Sequence, residues 1–140
     1  MLAYLDSSVI LDYLLRGDLA LKHAMEYPRV VSSELLEIEC RRVFHRYHNI
    51  GELSDEGMVK VNERFLDLCT SIDILELSAA VKKRAAESFP ISIKTLDALH
   101  LSSALVLQAE ESEDIVVFSY DKTMNLCART LGFAAPFLAD

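Results

Sequence analysis

The 140-residue chain is 51% hydrophobic and 26% charged, with a net charge of −8, four glycines and three prolines. Those values fit a single compact domain over 1–140 and leave no room for a flexible linker or low-complexity segment. They argue against simple electrostatic adhesion to nucleic acid or to an anionic membrane. No apolar stretch reaches membrane-span length, and Asp6 interrupts the first apolar run too early for a signal peptide. Cys40, Cys69 and Cys127 are odd in number, widely spaced and set in apolar helical patterns. They read as reduced core thiols of a cytoplasmic protein, not as a disulfide or zinc set.

In chain order, Met1 to Leu5 is a short apolar run that predicts a first strand. Val9 to Leu15 has helical spacing and stops near Gly17, and Leu19 to Tyr27 predicts a second short helix closed by Pro28. Arg29 to Ser32 is a β-branched second strand. Ser33 offers an N-cap to a long helix reaching Asn49, with Gly51 beyond it. Ser54 to Cys69 repeats the pattern, with a Ser cap and Asp55 and Glu56 in the first turn. "IDILEL", Ile72 to Leu77, alternates apolar and acidic residues and predicts a strand near a sheet edge. Ser78 to Phe89 predicts a helix stopped by Pro90, and Thr95 to Glu110 a long apolar one capped by Thr95. "IVVFS", Ile115 to Ser119, is a continuous apolar strand suited to the middle of a parallel sheet. Lys122 to Leu131 predicts the last helix, with Gly132 at its C′ position, and Phe133 to Leu138 a short closing strand interrupted by Pro136. Strands separated by helices predict a three-layer α/β/α fold with a mostly parallel central sheet.

Open parallel sheets bind ligands outside the carboxyl ends of their strands. Asp6 ends the first strand and Asp121 lies just past "IVVFS", so the two meet at one rim if those strands are neighbours. Each on its own also suits a turn or a helix cap. Asp97, in "KTLDALHLSSALVL", lies in the first turn of a helix with little other charge, where the helix dipole favours it. The helix "SSELLEIECRRVF" offers Glu34, Glu37 and Glu39. Glu39 flanks its apolar stripe and shares a face with Arg42 and Arg46; Glu37 lies on the other flank, and periodicity does not choose between them.

"YLDSSVILDYLL", "VVSSELLEIECRRV", "TLDALHLSSAL" and "VVFSYDKTM", in this order on a matching alternation of strands and helices, resemble the landmark segments of the PIN-domain family, and within it the VapC-type ribonuclease toxins. The resemblance covers nearly the whole chain. It implies a cluster of Asp6, Glu39, Asp97 and Asp121 that is catalytic and metal-binding, selects Glu39 over its neighbours, and matches Ser119 to a hydroxyl residue two positions before the last acid. It further implies RNA as substrate, an antitoxin protein as partner and a homodimer. Such a cluster has a physical reason to take a metal. Two like charges about 4 Å apart cost about 4 kcal/mol at an effective dielectric of about 20. A hard divalent cation, Mg²⁺ or Mn²⁺, removes that cost and activates water for attack on a phosphodiester. Ser7 or Ser8 is then expected to cap the helix that follows Asp6.

His100, three residues after Asp97, reads first as a satisfied core histidine, with a place facing the site as the sharper alternative. Arg42 and Arg46 suit phosphate contact, pairing with Glu39 or an ordinary solvated face. Lys94 and Lys122 adjoin two of the candidate acids. Other uses of strand-end acids fit less well. A receiver domain needs an Asp ending a middle strand, a haloacid-dehalogenase-type phosphatase needs an Asp where Ser8 stands, and a dinucleotide site needs glycines that "DSSVILD" lacks. A non-catalytic PIN-fold binding or scaffold protein is the remaining alternative.

Overall fold

In the computed structural model, which describes residues 1–138, the chain runs β1 (Leu2–Leu5), α1 (Ser7–Arg16), α2 (Ala20–Met25), β2 (Val30–Ser33), α3 (Leu35–Asn49), α4 (Asp55–Cys69), β3 (Asp73–Leu75), α5 (Ala79–Ala85), α6 (Thr95–Glu111), β4 (Ile115–Phe118) and α7 (Lys122–Thr130). The strands form one sheet in the order β3-β2-β1-β4, with every pairing parallel. β1 is central because its four residues are fully buried on both faces. Its alternation divides the core. Ala3 and Leu5 pack with Val9, Ile10, Leu36, Cys40, Phe44 and Phe65 of α1, α3 and α4, whereas Leu2 and Tyr4 pack with Leu101, Ala104, Met124 and Cys127 of α6 and α7. Helices on both faces of a buried parallel sheet make the three layers that the strand–helix alternation predicts.

The chain winds from β1 outward to β2 and β3, then returns to place β4 on the other side of β1. The crevice between the carboxyl ends of β1 and β4 is therefore the switch point of the sheet. The register Leu5–Phe118 puts Asp6 and Asp121 just beyond it. β3 lies at the edge with its residues largely exposed, as its alternating sequence predicts.

Several local expectations differ. α5 stops at Ala85 rather than Phe89, because Pro90 disfavours helical geometry at the residue before it. The Arg84 guanidinium instead donates to the Ser88 carbonyl at 3.1 Å and lies 4.5 Å over the Phe89 ring. The closing strand is a single bridge, in which the Val117 N–H donates to Ala134 at 2.8 Å; Pro136 has no N–H to extend a ladder. Ser54 and Ser78 cap α4 and α5 through bonds from Gly57 and Val81. Thr95 is no cap; it is the first residue of α6, and Lys94 holds the cap position. Gly132 follows α7 with φ of 95°, a conformation that glycine adopts without Cβ strain. All three cysteines are free, and burial raises the pKa of each thiol.

Candidate active site

Asp6 begins the site. Its N–H continues the sheet by donating to the Phe118 carbonyl at 3.0 Å. The residue is buried, at 5% relative exposure. Asp6 Oδ2 accepts from Ser8 Oγ and from Ser119 Oγ, both at 2.8 Å. These hydroxyls are themselves fixed by accepting from the Tyr120 N–H at 3.0 Å and the Asp121 N–H at 2.9 Å. Asn125 holds the same segment from below, donating through Nδ2 to the Ser119 carbonyl at 2.8 Å. The rims of β1 and β4 are thus tied together around one carboxylate. Neither Ser7 nor Ser8 caps α1, since both hydroxyls serve acids instead: Ser7 Oγ donates to Glu39 Oε2 at 3.3 Å.

Glu39 reaches this carboxylate from α3. Its Oε1 lies 2.5 Å from His100 Nε2, and that nitrogen is 3.8 Å from Asp6 Oδ1. Glu34 and Glu37 are elsewhere. Glu34 accepts from the Leu77 N–H at 2.5 Å, and Glu37 pairs on the surface with Arg41 at 2.9 Å. His100 is fully buried and satisfied, as a core histidine would be, and it also faces the acids. Its Nδ1 is 2.7 Å from the hydroxyl of Tyr4, whose ring meets the imidazole edge-on at 5.8 Å. Burial opposes a charge on His100, but the bond to Glu39 and the charges of Asp6, Glu39 and Asp97 outweigh it and raise its pKa. Burial also pushes the Tyr4 phenol well above its ordinary range, so it stays protonated.

Asp97 sits half-buried in the first turn of α6. Burial, then the charges of Asp121 and Asp6, push its carboxyl up to about 6. Asp121 is exposed and caps α7, with Oδ1 accepting from the Met124 N–H at 2.8 Å. Its capping use is therefore real, and its charge still reaches Asp97. Among the described residues, Asp6, Glu39 and His100 form a group whose candidate ligand atoms lie within 4.8 Å of one another; Asp97 and Asp121 stand outside that group. Among the described residues, His100 alone ion-pairs with Asp6 and Glu39, so mutual repulsion at this rim is only partly relieved. Carboxylate oxygens converging with so little cationic compensation suit a hard divalent cation. The imidazole is less suited as a ligand, because both of its nitrogens already face hydrogen-bond partners.

The shifts of Asp97 and His100 make a signed prediction. A carboxyl whose pKa rises from 3.8 to about 6 on folding contributes stability below 3.8 that is lost as pH climbs through 6. A histidine whose pKa is raised above 6.5 likewise contributes most below that value and loses it above. Without metal, the protein should therefore melt at falling temperatures from about pH 4 to pH 8. Asp97→Asn should remove the portion of that fall between about pH 4 and 6, worth on the order of 1 kcal/mol for a half-exposed group, and leave the later portion. Thermal melts in EDTA across this range check it; an Asn variant less stable than the parent at pH 7 contradicts it.

Residues 3–129 match the family model for the PIN domain. The chain belongs to the PIN-domain family. Among the curated proteins no sequence relative matches. Among solved structures, the chain is similar to a toxin–antitoxin complex from Klebsiella pneumoniae, with TM-score 0.65 and 16% identity over 99% of this chain and 96% of that one. It is similar also to VapBC2 from Rickettsia felis, bound to a DNA fragment from its promoter, with TM-score 0.68 and 10% identity over 96% and 97%. A third is VapC20 from Mycobacterium tuberculosis, described as a toxin cleaving the sarcin–ricin loop, with TM-score 0.58 and 13% identity over 94% and 96%. At these identities the likeness is one of fold. No helix among the described residues is long and apolar enough to cross a membrane.

Proposed function

We propose that the chain, as a single PIN-like domain over 1–140, is a metal-dependent endoribonuclease and the toxin of a toxin–antitoxin pair. The observation that carries this reading is the convergence of Asp6 and Glu39, from the end of β1 and from α3, at the switch point of the sheet, with the half-buried Asp97 carboxyl pushed up to about 6 by burial and then by the charges of Asp121 and Asp6. Membership of the PIN-domain family supports a nuclease. The likeness to VapBC assemblies and to a sarcin–ricin loop cleaving toxin supports RNA as substrate and an antitoxin as partner. A homodimer and a cytoplasmic site of action complete the proposal.

Asp6, Glu39, Asp97 and Asp121 are the catalytic set and would hold Mg²⁺ or Mn²⁺ directly or through water. When bound, such an ion neutralises charge on the phosphate and makes water acidic enough to attack it. The protein's own part is placement. Ser8 and Ser119 fix Asp6, and His100 and Ser7 fix Glu39. Without an ion, burial and then the charges of Asp121 and Asp6 push the Asp97 carboxyl up to about 6, a cost that a bound cation would remove. Asp121 orients the start of α7 while adding its charge to the rim.

Attack by water leaves the 2′-hydroxyl unused. Purified protein with Mn²⁺ should therefore release RNA fragments bearing 5′-phosphate and 3′-hydroxyl ends, and EDTA should stop it. Ends analysed by phosphatase and ligase sensitivity check this, and 2′,3′-cyclic phosphates would count against it. If no RNA is cut under any metal condition, the binding or scaffold reading takes its place.

A further inference from the structure

We propose that the face of α3 bearing Glu39 is also the path by which the substrate strand approaches, with Arg42 and Arg46 holding two of its phosphates. The proposal rests on the ribonuclease reading of the acid site and extends it to how RNA is held.

An acidic chain that binds a polyanion must set aside cations for the purpose. Of its eight arginines, six are occupied by the protein itself. Arg16 pairs with Asp12, and Arg29 with Asp73 and Glu111. Arg41 is held by Glu37 and Asn62. Arg64 donates to Leu14 and covers the Tyr13 ring, Arg84 is held by Ser88 and Phe89, and Arg129 donates to Ala135 and Leu138. Arg42 and Arg46 are both exposed, and neither has a hydrogen-bond or ion-pair partner among the described residues. The possible pairing with Glu39 is not made, because Glu39 turns to His100.

Their placement is directional. At three and seven residues from Glu39 they lie on its face of the helix, about 4.5 and 10.5 Å further along the axis. The two arginines are themselves about 6 Å apart along it, a separation comparable with that of successive phosphates in an extended strand. His45, Asn49 and Ile50 complete a shallow depression of about 440 Å³ around them. Apart from Glu39, three residues before Arg42 and turned to His100, no acid stands one helical turn from either arginine. Arg41 has an acid four residues before it, whereas Arg42 has Ile38 there and Arg46 has Arg42, a like-charge spacing that disfavours the helix. The helix dipole offers some compensation to Arg46 in the last turn but none to Arg42. The like-charge spacing is slightly unfavourable to the helix, an anion lying between the two guanidiniums would offset it, and guanidinium suits phosphate.

The test is fluorescence anisotropy with a short single-stranded oligouridylate across a salt series, in EDTA so that nothing is cut. Arg42→Gln combined with Arg46→Gln should weaken binding at least ~10-fold and lower the slope of log affinity against log salt by about 1.4, the loss of two phosphate contacts on a single strand. Arg42→Lys with Arg46→Lys should keep the slope. Lys82→Gln with Lys83→Gln, the same charge change on exposed α5, should leave the slope unchanged. Equal loss from the lysine pair, or no binding by the parent, overturns the proposal. So does unchanged RNA binding by the arginine pair, including the case where its antitoxin complex weakens instead. Cleavage in Mn²⁺ is scored separately: arginine-dependent binding without cleavage refutes only the nuclease reading, and cleavage without arginine dependence refutes only this one.

Discussion

Glu39→Gln is expected to abolish metal-dependent cleavage, whereas Glu37→Gln leaves most of it. The two residues are two positions apart on one helix, yet they face different partners. Glu39 Oε1 meets His100 Nε2 at 2.5 Å beside Asp6, while Glu37 meets Arg41 on the surface. Glutamine keeps the shape of Glu39 and an oxygen to accept from His100, so the fold should survive, but it removes the charge that a divalent ion needs. The loss should exceed the ~10–100-fold that follows removal of an outer-shell partner. Glu37→Gln forfeits only an exposed ion pair, about 0.5 kcal/mol. A readout independent of cleavage comes from melting. An ion bound only by the folded state adds about 2.7 kcal/mol at a hundredfold excess over Kd, enough to raise the Tm by several degrees. Parent and Glu37→Gln should show that rise with Mn²⁺, and Glu39→Gln should show little of it. An inactive Glu37→Gln beside an active Glu39→Gln would place the catalytic face of α3 on its other side.

His100→Ala should be the most destabilising single change at the site. It empties a fully buried position and strips Tyr4 of its partner at 2.7 Å and Glu39 of its partner at 2.5 Å. A cavity together with the loss of two buried hydrogen bonds costs about 3 kcal/mol. The variant should also bind Mn²⁺ about 10–100-fold more weakly even at temperatures where it is fully folded, because Glu39 is no longer held. His100→Gln separates the two effects. Its amide N–H can still reach Glu39 but not Tyr4, so it should recover most of the Mn²⁺ affinity and only part of the stability. Calorimetric titration with Mn²⁺ and thermal melts provide both numbers. Unchanged Mn²⁺ affinity in a folded His100→Ala would make the histidine a packing residue and nothing more.

The four sheet strands, the sheet type and the placement of Asp6 and Asp121 beyond one rim of the sheet were legible because each depends on local pattern plus one topological rule. Continuous apolar runs mark buried parallel strands, and an acid closing each run marks the rim. The choice between Glu37 and Glu39 was not legible from periodicity, since both flank the apolar stripe of α3; it depends on what α6 presents opposite. His100 and Tyr4 were obscured for the same reason. A histidine in an apolar helix and a tyrosine in an apolar strand each look like packing, and only the pairing of residues 96 positions apart makes them a chain leading to Glu39. Ser7 and Ser8 resemble ordinary caps, yet their hydroxyls serve the acids. Asn125 left a fainter signal, a buried amide in an otherwise apolar face of α7. The end of α5 and the closing strand fell short of the pattern where Pro90 and Pro136 act through the backbone.

The bond from Ser119 to Asp6 spans 113 positions, and β4 supplies the whole of one side of β1. During synthesis, β1, β2 and β3 are all available well before β4 leaves the ribosome, at an elongation rate of roughly 5–20 residues per second. Until then Asp6 lacks both its sheet neighbour and its hydroxyl clamp, and α6, with Asp97 and His100, has only an unfinished sheet to pack on. The acid centre is thus complete only once β4 has joined the sheet. If the proposed ribonuclease activity holds, that order of assembly separates the protein's making from its action.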